Sequence, residues 1–211
     1  MTQTNTAAPT GIKATAETTL PADYTAATAF LAMLAPDGDV TFQTFDDNAD
    51  RKAPALAQVI HAVPDSITVA MDRLAALDKQ GAGTFFTVNK TDGNGRKAVN
   101  IATVRALFAD FDTVDDDRPA LLRELCTLPP SILVESSSGK HHAYWLVDDF
   151  PLARFTEAQK AIIELLGSDA AVHDLPRVMR LPGFTHHKVK DGVVSPPFTT
   201  RVIGGTGTRY T

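Results

Sequence analysis

Two aspartates, Asp110 and Asp112, stand two residues apart in an otherwise apolar segment, residues 107–112. In a β-strand, residues i and i+2 face the same side, so both carboxylates would point the same way. Like charges side by side repel each other, and their burial is costly unless a positive charge lies between them. Hard oxygen ligands suit Mg²⁺ or Mn²⁺. The pair therefore predicts a divalent-cation site, with two solvated carboxylates at a strand end as the alternative.

A turn of small residues leads into a strand in residues 137–145, which carry the second group of candidates. Small residues let the backbone approach a ligand closely, and N–H groups in a turn can bind phosphate oxygens. Lys140 adds a positive charge, and His142 begins the strand, where it can hydrogen-bond a phosphate. The P-loop pattern is absent. His141 and His142 are adjacent and face opposite sides, unlike the paired histidines of rolling-circle nucleases, and a hairpin with a polar tip is the alternative.

A polar segment, residues 168–188, carries the third group of candidates. Arg177 and Arg180 lie three residues apart and suit bidentate recognition of phosphate. A zinc site is disfavoured, because the histidines are irregularly spaced and no cysteine lies near them. A surface loop held by Arg–Asp pairs is the alternative. The other polar residues of this segment are Asp169, His173, Asp174, His186, His187 and Lys188.

Length and composition indicate an ordinary globular protein. The 211 residues suffice for one sizeable domain or two small ones, with 44% hydrophobic and 21% charged residues. No apolar run is long enough for a membrane helix, and no signal-peptide pattern is present. The single cysteine, Cys126, excludes an intrachain disulfide framework, suits a reducing cytoplasm and is predicted to be a small core residue. The net charge of −5 does not indicate nucleic-acid binding, although residues 177–190 are locally basic.

The elements that would position these candidates follow from periodicity and turn signals. Residues 1–20 lack an apolar period and are predicted to be a mobile tail. Residues 131–135 and 142–147 form a predicted hairpin, and the chain after residue 168 is predicted to be loop and short strands. Together these elements predict an α+β or α/β domain. Helices are predicted at residues 22–34, 53–62, 66–80, 119–128 and 152–166, and further strands at 40–45, 84–88 and 107–112.

The three groups also occur in an informative order. An Asp-x-Asp strand is followed by a Ser-Gly turn with a histidine before Tyr-Trp, and then by a lone aspartate ahead of Arg-x-x-Arg-Leu-Pro-Gly. This order resembles the archaeo-eukaryotic primase superfamily, the primase-polymerases, and most closely its branch in plasmid and phage replication proteins. The resemblance spans residues 84–188. It implies an RRM-like catalytic sheet joined to an N-terminal α/β unit, with residues 21–211 forming the catalytic domain.

The resemblance implies roles for individual residues. Motif I corresponds to Asp110 and Asp112, and motif III to Asp169, with Asp174 as its rival. These three carboxylates would hold two Mg²⁺ or Mn²⁺ ions, which serve as the cofactors. Motif II centres on His142, in a turn that also contains Ser138 and Lys140. Arg180, His186 and Lys188 fall in the segment after motif III, and His186 stands where the family often has asparagine.

The implied activity is template-directed nucleotidyl transfer by a DNA primase or polymerase. His142 and Arg180 would bind the triphosphate, with Lys140 or Lys188 assisting, and these cations would partly neutralise it. The implied partners are a single-stranded DNA template, rNTPs or dNTPs, and a possible helicase domain or replication partner, in the cytoplasm of a bacterium or phage-infected host and without a membrane. Two other classes remain open. One is a non-catalytic single-stranded nucleic-acid-binding module, for which no ring pair on adjacent strands is evident; the other is a metal-dependent nuclease or phosphohydrolase.

Overall fold

A computed structural model describes residues 20–51 and 53–211. The predicted mobile tail, residues 1–20, lies outside the described residues except for Leu20. The helices are α1 (Tyr24–Leu34), α2 (Ile67–Asp78), α3 (Arg118–Leu125) and α4 (Phe155–Leu166). The strands are β1 (Val40–Asp46), β2 (Val59–Ala62), β3 (Ala82–Thr87), β4 (Lys90–Thr91), β5 (Ile101–Thr103), β6 (Ala106–Phe111), β7 (Ile132–Ser137), β8 (Lys140–Val147), β9 (Val178–Arg180), β10 (Thr185–His186), β11 (Val189–Lys190), β12 (Val193–Val194), β13 (Phe198–Thr199), β14 (Arg201–Gly204) and β15 (Arg209–Tyr210).

Strands β2, β1, β3 and β9 form, in that order, an antiparallel sheet, here called the N-terminal sheet. Phe42 in β1 and Phe86 in β3 are paired and fully buried on its inner face. Because side chains alternate along a strand, their neighbours Gln43 and Phe85 lie on the outer face. Strand β9 returns from far along the sequence to pair with β3, which brings Arg180 opposite Phe85.

The second sheet, here called the central sheet, contains the predicted hairpin of β7 and β8. Strand β6 pairs along one edge of β8, while β7, itself flanked by β14, pairs along the other edge. The short strand β15 runs parallel to the last residues of β8. Gly139 has φ +69° at the hairpin turn, a conformation that L-residues rarely adopt. This pairing places Asp110 of β6 directly opposite His142 of β8.

An aromatic cluster joins the two sheets. The ring of Phe30 from α1 lies 4.9 Å from that of Phe86 and 5.8 Å from that of Tyr144 in β8, both in edge-on arrangements. All three side chains are fully buried, and such contacts add to the gain from removing apolar surface from water. One core therefore supports both sheets, and the predicted α+β fold is confirmed.

Helix α4 protects the outer edge of β6. The buried Gln159 side chain accepts a hydrogen bond from the Phe108 N–H and donates one to the Phe108 carbonyl oxygen. Two residues further along the same edge, the Asp169 N–H donates to the Asp110 carbonyl oxygen at 2.9 Å. Backbone groups on an edge strand need such partners. The edge that α4 protects therefore also holds Asp169 beside Asp110.

Several predicted boundaries differ from the structure. The helix predicted at residues 53–62 is wrong: a single 3₁₀ turn, Pro54–Leu56, precedes strand β2, whose alternating burial comes from pairing with β1. Helix α3 ends at Leu125 rather than residue 128, since Pro129 and Pro130 follow closely. Cys126 lies just beyond that end, half-buried against the apolar face under α3 and α4. In the described part of the chain, no helix is long and apolar enough to cross a membrane.

Candidate active site

Three carboxylates meet at the end of β6. Asp110 lies within the strand, Asp112 is one residue beyond its end, and Asp169 follows α4. One oxygen from each carboxylate lies within 4.8 Å of the others. The Asp110 side chain is 20% exposed and that of Asp112 is 68% exposed, so the cluster opens to solvent on one side. The strand ends before Asp112, yet both aspartates reach the same point, as the sequence predicted.

The electrostatics of this cluster favour a bound cation. Burial, followed by repulsion from Asp112 and Asp169, raises the pKa of Asp110 to about 7. A divalent ion would relieve this repulsion, and three carboxylate oxygens are the ligands that Mg²⁺ and Mn²⁺ prefer. Lys140 already supplies part of the missing charge, with its Nζ 3.1 Å from an Asp112 oxygen. The residues present therefore fit a metal centre.

Asp174, the rival for the third position, faces a different partner. Its carboxylate accepts a hydrogen bond of 2.7 Å from Nε of Arg177. The tertiary structure thus brings Asp169, and not Asp174, to the other two carboxylates. Within residues 20–51 and 53–211, the group of three that could hold a metal ion contains no histidine of residues 168–188.

His142 lies beside the carboxylates as a neutral hydrogen-bonding group. Its Nε2 is 3.6 Å from the nearer Asp110 oxygen, and its Nδ1 is 3.2 Å from the hydroxyl of Tyr144. Burial, followed by the nearby charge of Arg180, lowers the pKa of His142 to about 3. The expectation that His142 acts as a cation is therefore wrong, because a buried imidazole beside an arginine stays unprotonated.

Arg180 is held in place by a residue that sequence reasoning missed. Its guanidinium donates two hydrogen bonds of 2.9 Å to the Asp47 carboxylate and lies 4.6 Å from the ring centre of Phe85. Asp47 follows β1 and is nearly buried, and its carboxylate also accepts a 3.0 Å hydrogen bond from the His187 N–H. No local pattern marks Asp47, since its partner is distant in the sequence.

A cleft of about 790 Å³ connects these groups and lies between the two sheets. Basic and hydroxyl side chains line it together with two of the carboxylates, and they include all of the predicted nucleotide-binding residues. The third carboxylate, Asp169, lines a smaller pocket that shares Asp110 and Asp112 with the cleft. His186 also lines the cleft, but burial, followed by Arg180, lowers its pKa to about 4, so it is neutral too. The predicted residues along the cleft are Asp110, Asp112, Ser138, Lys140, His142, Arg180, His186 and Lys188.

The turn before β8 offers fewer free N–H groups to a phosphate than predicted. The Gly139 N–H already donates to a Glu135 carboxylate oxygen at 3.1 Å, so this N–H is not open to a phosphate. Ser138 is exposed at the rim of the cleft.

Two of the predicted histidines lie outside the cleft. His187 has its Nε2 3.1 Å from a carboxylate oxygen of the buried Asp78. His173 contacts the Ala170 carbonyl oxygen, so both histidines have structural partners.

Comparisons with known proteins agree with this architecture. Residues 71–198 match the family model described as the RepB DNA-primase N-terminal domain. No curated protein matches the chain. A solved structure of the AEP domain of the cyanophage S-2L primase-polymerase matches with a TM-score of 0.69 and 22% identity, over 90% of this chain and 95% of that one.

Two further solved structures share the fold. The primase RepB′ matches with a TM-score of 0.61 and 16% identity, over 88% of this chain and 57% of that one. The catalytic domain of RepB′ in complex with initiator DNA matches with a TM-score of 0.57 and 16% identity, over 88% of this chain and 86% of that one. The predicted resemblance to the archaeo-eukaryotic primases is confirmed, and the chain belongs to the family of RepB DNA-primase N-terminal domains.

Proposed function

We propose that this protein is a replication primase-polymerase that joins nucleotides on a single-stranded DNA template. The observation that carries the proposal is the cluster of three carboxylates, two of which line the same cleft as Arg180, Lys140 and Lys188. A nucleoside triphosphate is strongly negative, and its transfer chemistry needs both a metal-binding group and fixed positive charge. Family membership supports the same reaction.

Asp110, Asp112 and Asp169 are the residues that would hold two Mg²⁺ or Mn²⁺ ions. When bound, such ions lower the charge on the reacting phosphate and on the attacking and leaving oxygens. The protein's own contribution is to fix the three carboxylates before the ions arrive. The β6 strand holds Asp110, and the backbone hydrogen bond between Asp169 and Asp110 sets their spacing.

The other cleft residues would bind the triphosphate. Asp47 orients Arg180, so little side-chain entropy remains to be lost when a phosphate binds its guanidinium. His142 would donate a hydrogen bond as a neutral group, with Tyr144 fixing its ring. Lys140 would exchange its contact with Asp112 for a phosphate oxygen. Ser138 and Lys188 line the same cleft and would complete the contacts.

The proposed partners are a single-stranded template, rNTPs or dNTPs, and a helicase domain or another replication protein. The solved RepB′ catalytic domain that shares this fold is in complex with initiator DNA. We propose the cytoplasm of a bacterium or phage-infected cell as the place of action, because template and nucleotides occur there.

The decisive experiment is a product gel from an unprimed single-stranded template, incubated with Mg²⁺ or Mn²⁺ and with either rNTPs or dNTPs. The variants are Asp110→Asn, Asp112→Asn, Asp169→Asn and, as the matched control, Asp174→Asn. The first three should fold but lose at least about 100-fold in product, since each removes a proposed metal ligand. Asp174→Asn should retain activity within about threefold, because its carboxylate is paired with Arg177.

Each outcome bears on the proposal. Extension products that disappear in the three variants support it. Degradation of the template would instead identify a nuclease, and binding without chemistry would identify a non-catalytic module. Full activity of Asp169→Asn together with loss in Asp174→Asn would reassign the third carboxylate.

A further inference from the structure

We propose that the outer face of the N-terminal sheet is the surface that binds the single-stranded template, with Phe45 as its exposed stacking ring. This inference rests on the proposed function and adds the location of the template. The surface, here called the Phe45 platform, consists of Phe45, Phe85, Arg96 and Arg180. The sequence motifs mark only one of its members, Arg180, because the platform is assembled from β1, β3, the segment after β4 and β9.

The platform begins with two rings on adjacent strands. Phe45 in β1 and Phe85 in β3 are diagonal neighbours, since Phe45 pairs with Gly83 and Phe85 pairs with Gln43. Their ring centres are 5.5 Å apart in an edge-on arrangement. Phe45 is 36% exposed although it lies within a strand. The ring pair that the sequence did not reveal is therefore present, on the N-terminal sheet rather than the central one.

An arginine guanidinium lies over each of the two rings. The Arg96 guanidinium lies 5.8 Å from the centre of the Phe45 ring, and the Arg180 guanidinium lies 4.6 Å from that of Phe85. Nε of Arg96 donates a 2.5 Å hydrogen bond to the side-chain oxygen of the buried Gln43. Because this partner is a neutral amide, the hydrogen bond fixes the arginine without neutralising its charge.

The nearby carboxylates balance the charge of Arg180 but not that of Arg96. Asp46 pairs with Arg51 at 2.9 Å and Asp47 pairs with Arg180, whereas the hydrogen-bond partner of Arg96 within the described residues is the neutral Gln43. A cationic patch with rings among its charges is the pattern that binds single strands, because bases stack on rings or guanidinium planes while phosphates contact the charges. A duplex, whose bases are already stacked, offers no base face to Phe45.

The platform is continuous with the active-site cleft. Phe85 and Arg180 line the cleft itself, as do Lys140 and Ser138 of the central sheet and its hairpin turn. Phe45 and Arg96 extend the same face away from the cleft along β1 and the segment after β4. A template strand that enters the cleft over Phe85 therefore meets Phe45 as the next stacking surface.

The test measures the affinity of the full chain for a fluorescein-labelled oligothymidylate by fluorescence anisotropy at several salt concentrations, without nucleotide or metal. Phe45→Ala should weaken binding roughly 5- to 100-fold, the loss expected for one stacked base, and Phe45→Trp should restore it. Arg96→Gln should weaken binding and reduce the slope of log K against log salt by about one. Leu165→Ala is the control, because Leu165 is also a large apolar residue and is 81% exposed. It lies on α4, a helix that packs against the central sheet, whereas the platform belongs to the N-terminal sheet.

Binding by Phe45→Ala and Arg96→Gln within twofold of the wild type would overturn the inference, as would an undetectable affinity of the wild-type chain. A loss of the same size in Leu165→Ala would also overturn it. These outcomes are separable from the proposed function: a chain that synthesises primers while Phe45→Ala binds DNA normally refutes only the platform. A chain that binds DNA through Phe45 but makes no product refutes only the primase chemistry.

Discussion

The Asp47 carboxylate accepts two 2.9 Å hydrogen bonds from the Arg180 guanidinium, across 133 positions of sequence. The same carboxylate leaves no room for a side chain at Gly83, where an added Cβ would lie 2.2 Å from one of its oxygens. The direction of the Arg180 side chain therefore depends on three elements: the end of β1, a glycine in the neighbouring strand β3, and the distant strand β9 that carries the arginine.

Gly83→Ala should therefore weaken nucleotide binding. The new methyl group displaces the Asp47 carboxylate, and Arg180 loses its orientation without being altered itself. We expect the KM for nucleotide to rise about 10-fold, equivalent to about 1.4 kcal/mol, with a smaller change in kcat. Steady-state kinetics on a primed template measure both quantities.

The matched control for this prediction is Gly207→Asn. Gly207 has φ +70° and no atom within 4 Å of an added Cβ, and asparagine tolerates this conformation better than other residues. Its kinetics should equal those of the wild type. An unchanged KM in Gly83→Ala would show that Asp47 does not position Arg180 for catalysis.

Asp110→Asn should make the metal-free protein more stable while removing its activity. Burial, followed by repulsion from Asp112 and Asp169, raises the pKa of Asp110, so its ionised form is unfavourable at this position. A neutral amide of the same shape removes that repulsion, and we expect about 1–3 kcal/mol of added stability at pH 8. Urea denaturation in the presence of EDTA measures it. Asp174→Asn, which breaks an ion pair instead, should give no increase, and a destabilised Asp110→Asn would contradict the electrostatic account.

His142→Ala should reduce nucleotide affinity more than metal affinity. The His142 ring faces the cleft as a neutral donor, and its loss removes one hydrogen bond to the triphosphate, about 1–2 kcal/mol or roughly 5- to 30-fold in Kd. Titrations with Mn²⁺ alone, and then with dNTP, separate the two affinities. Tyr144→Phe, which removes only the hydroxyl that contacts Nδ1, should give a smaller loss in the same direction. Unchanged dNTP binding in His142→Ala would remove this residue from the site.

Lys140→Met should have opposite effects on the two ligands. Lys140 contacts Asp112 in the metal-free protein, so its removal takes away a cation that competes with the metal. Since the pair is partly exposed, it is worth at most about 1 kcal/mol, and Mn²⁺ affinity should rise no more than about fivefold. Nucleotide affinity should fall, because a phosphate contact is lost. Isothermal titration measures both, and weaker Mn²⁺ binding by Lys140→Met would instead show that the lysine supports the metal site.

The site residues could be predicted where they lie close together in short segments of the sequence. The spacing of Asp110 and Asp112 brings both carboxylates to one point although the strand ends before Asp112, and the small residues before His142 specify a hairpin, so local geometry was sufficient. The helix predicted at residues 53–62 failed because β2 exists only through its pairing with β1. The strand propensity of residues 59–62 does not reveal which strand they pair with.

The amino-acid sequence by itself determined the kinds of groups available. These are two carboxylates on one strand, two candidates for a third carboxylate, a histidine in a hairpin, and a basic segment after residue 176. Only the tertiary structure decided which of them meet. The free edge of β6 needed hydrogen-bond partners, and this need places Asp169 beside Asp110 while Asp174 pairs with Arg177. Burial made His142 neutral, and the pairing of β9 with β3 joined Asp47 to Arg180. Contacts between distant residues depend on strand order and burial, which no local pattern records.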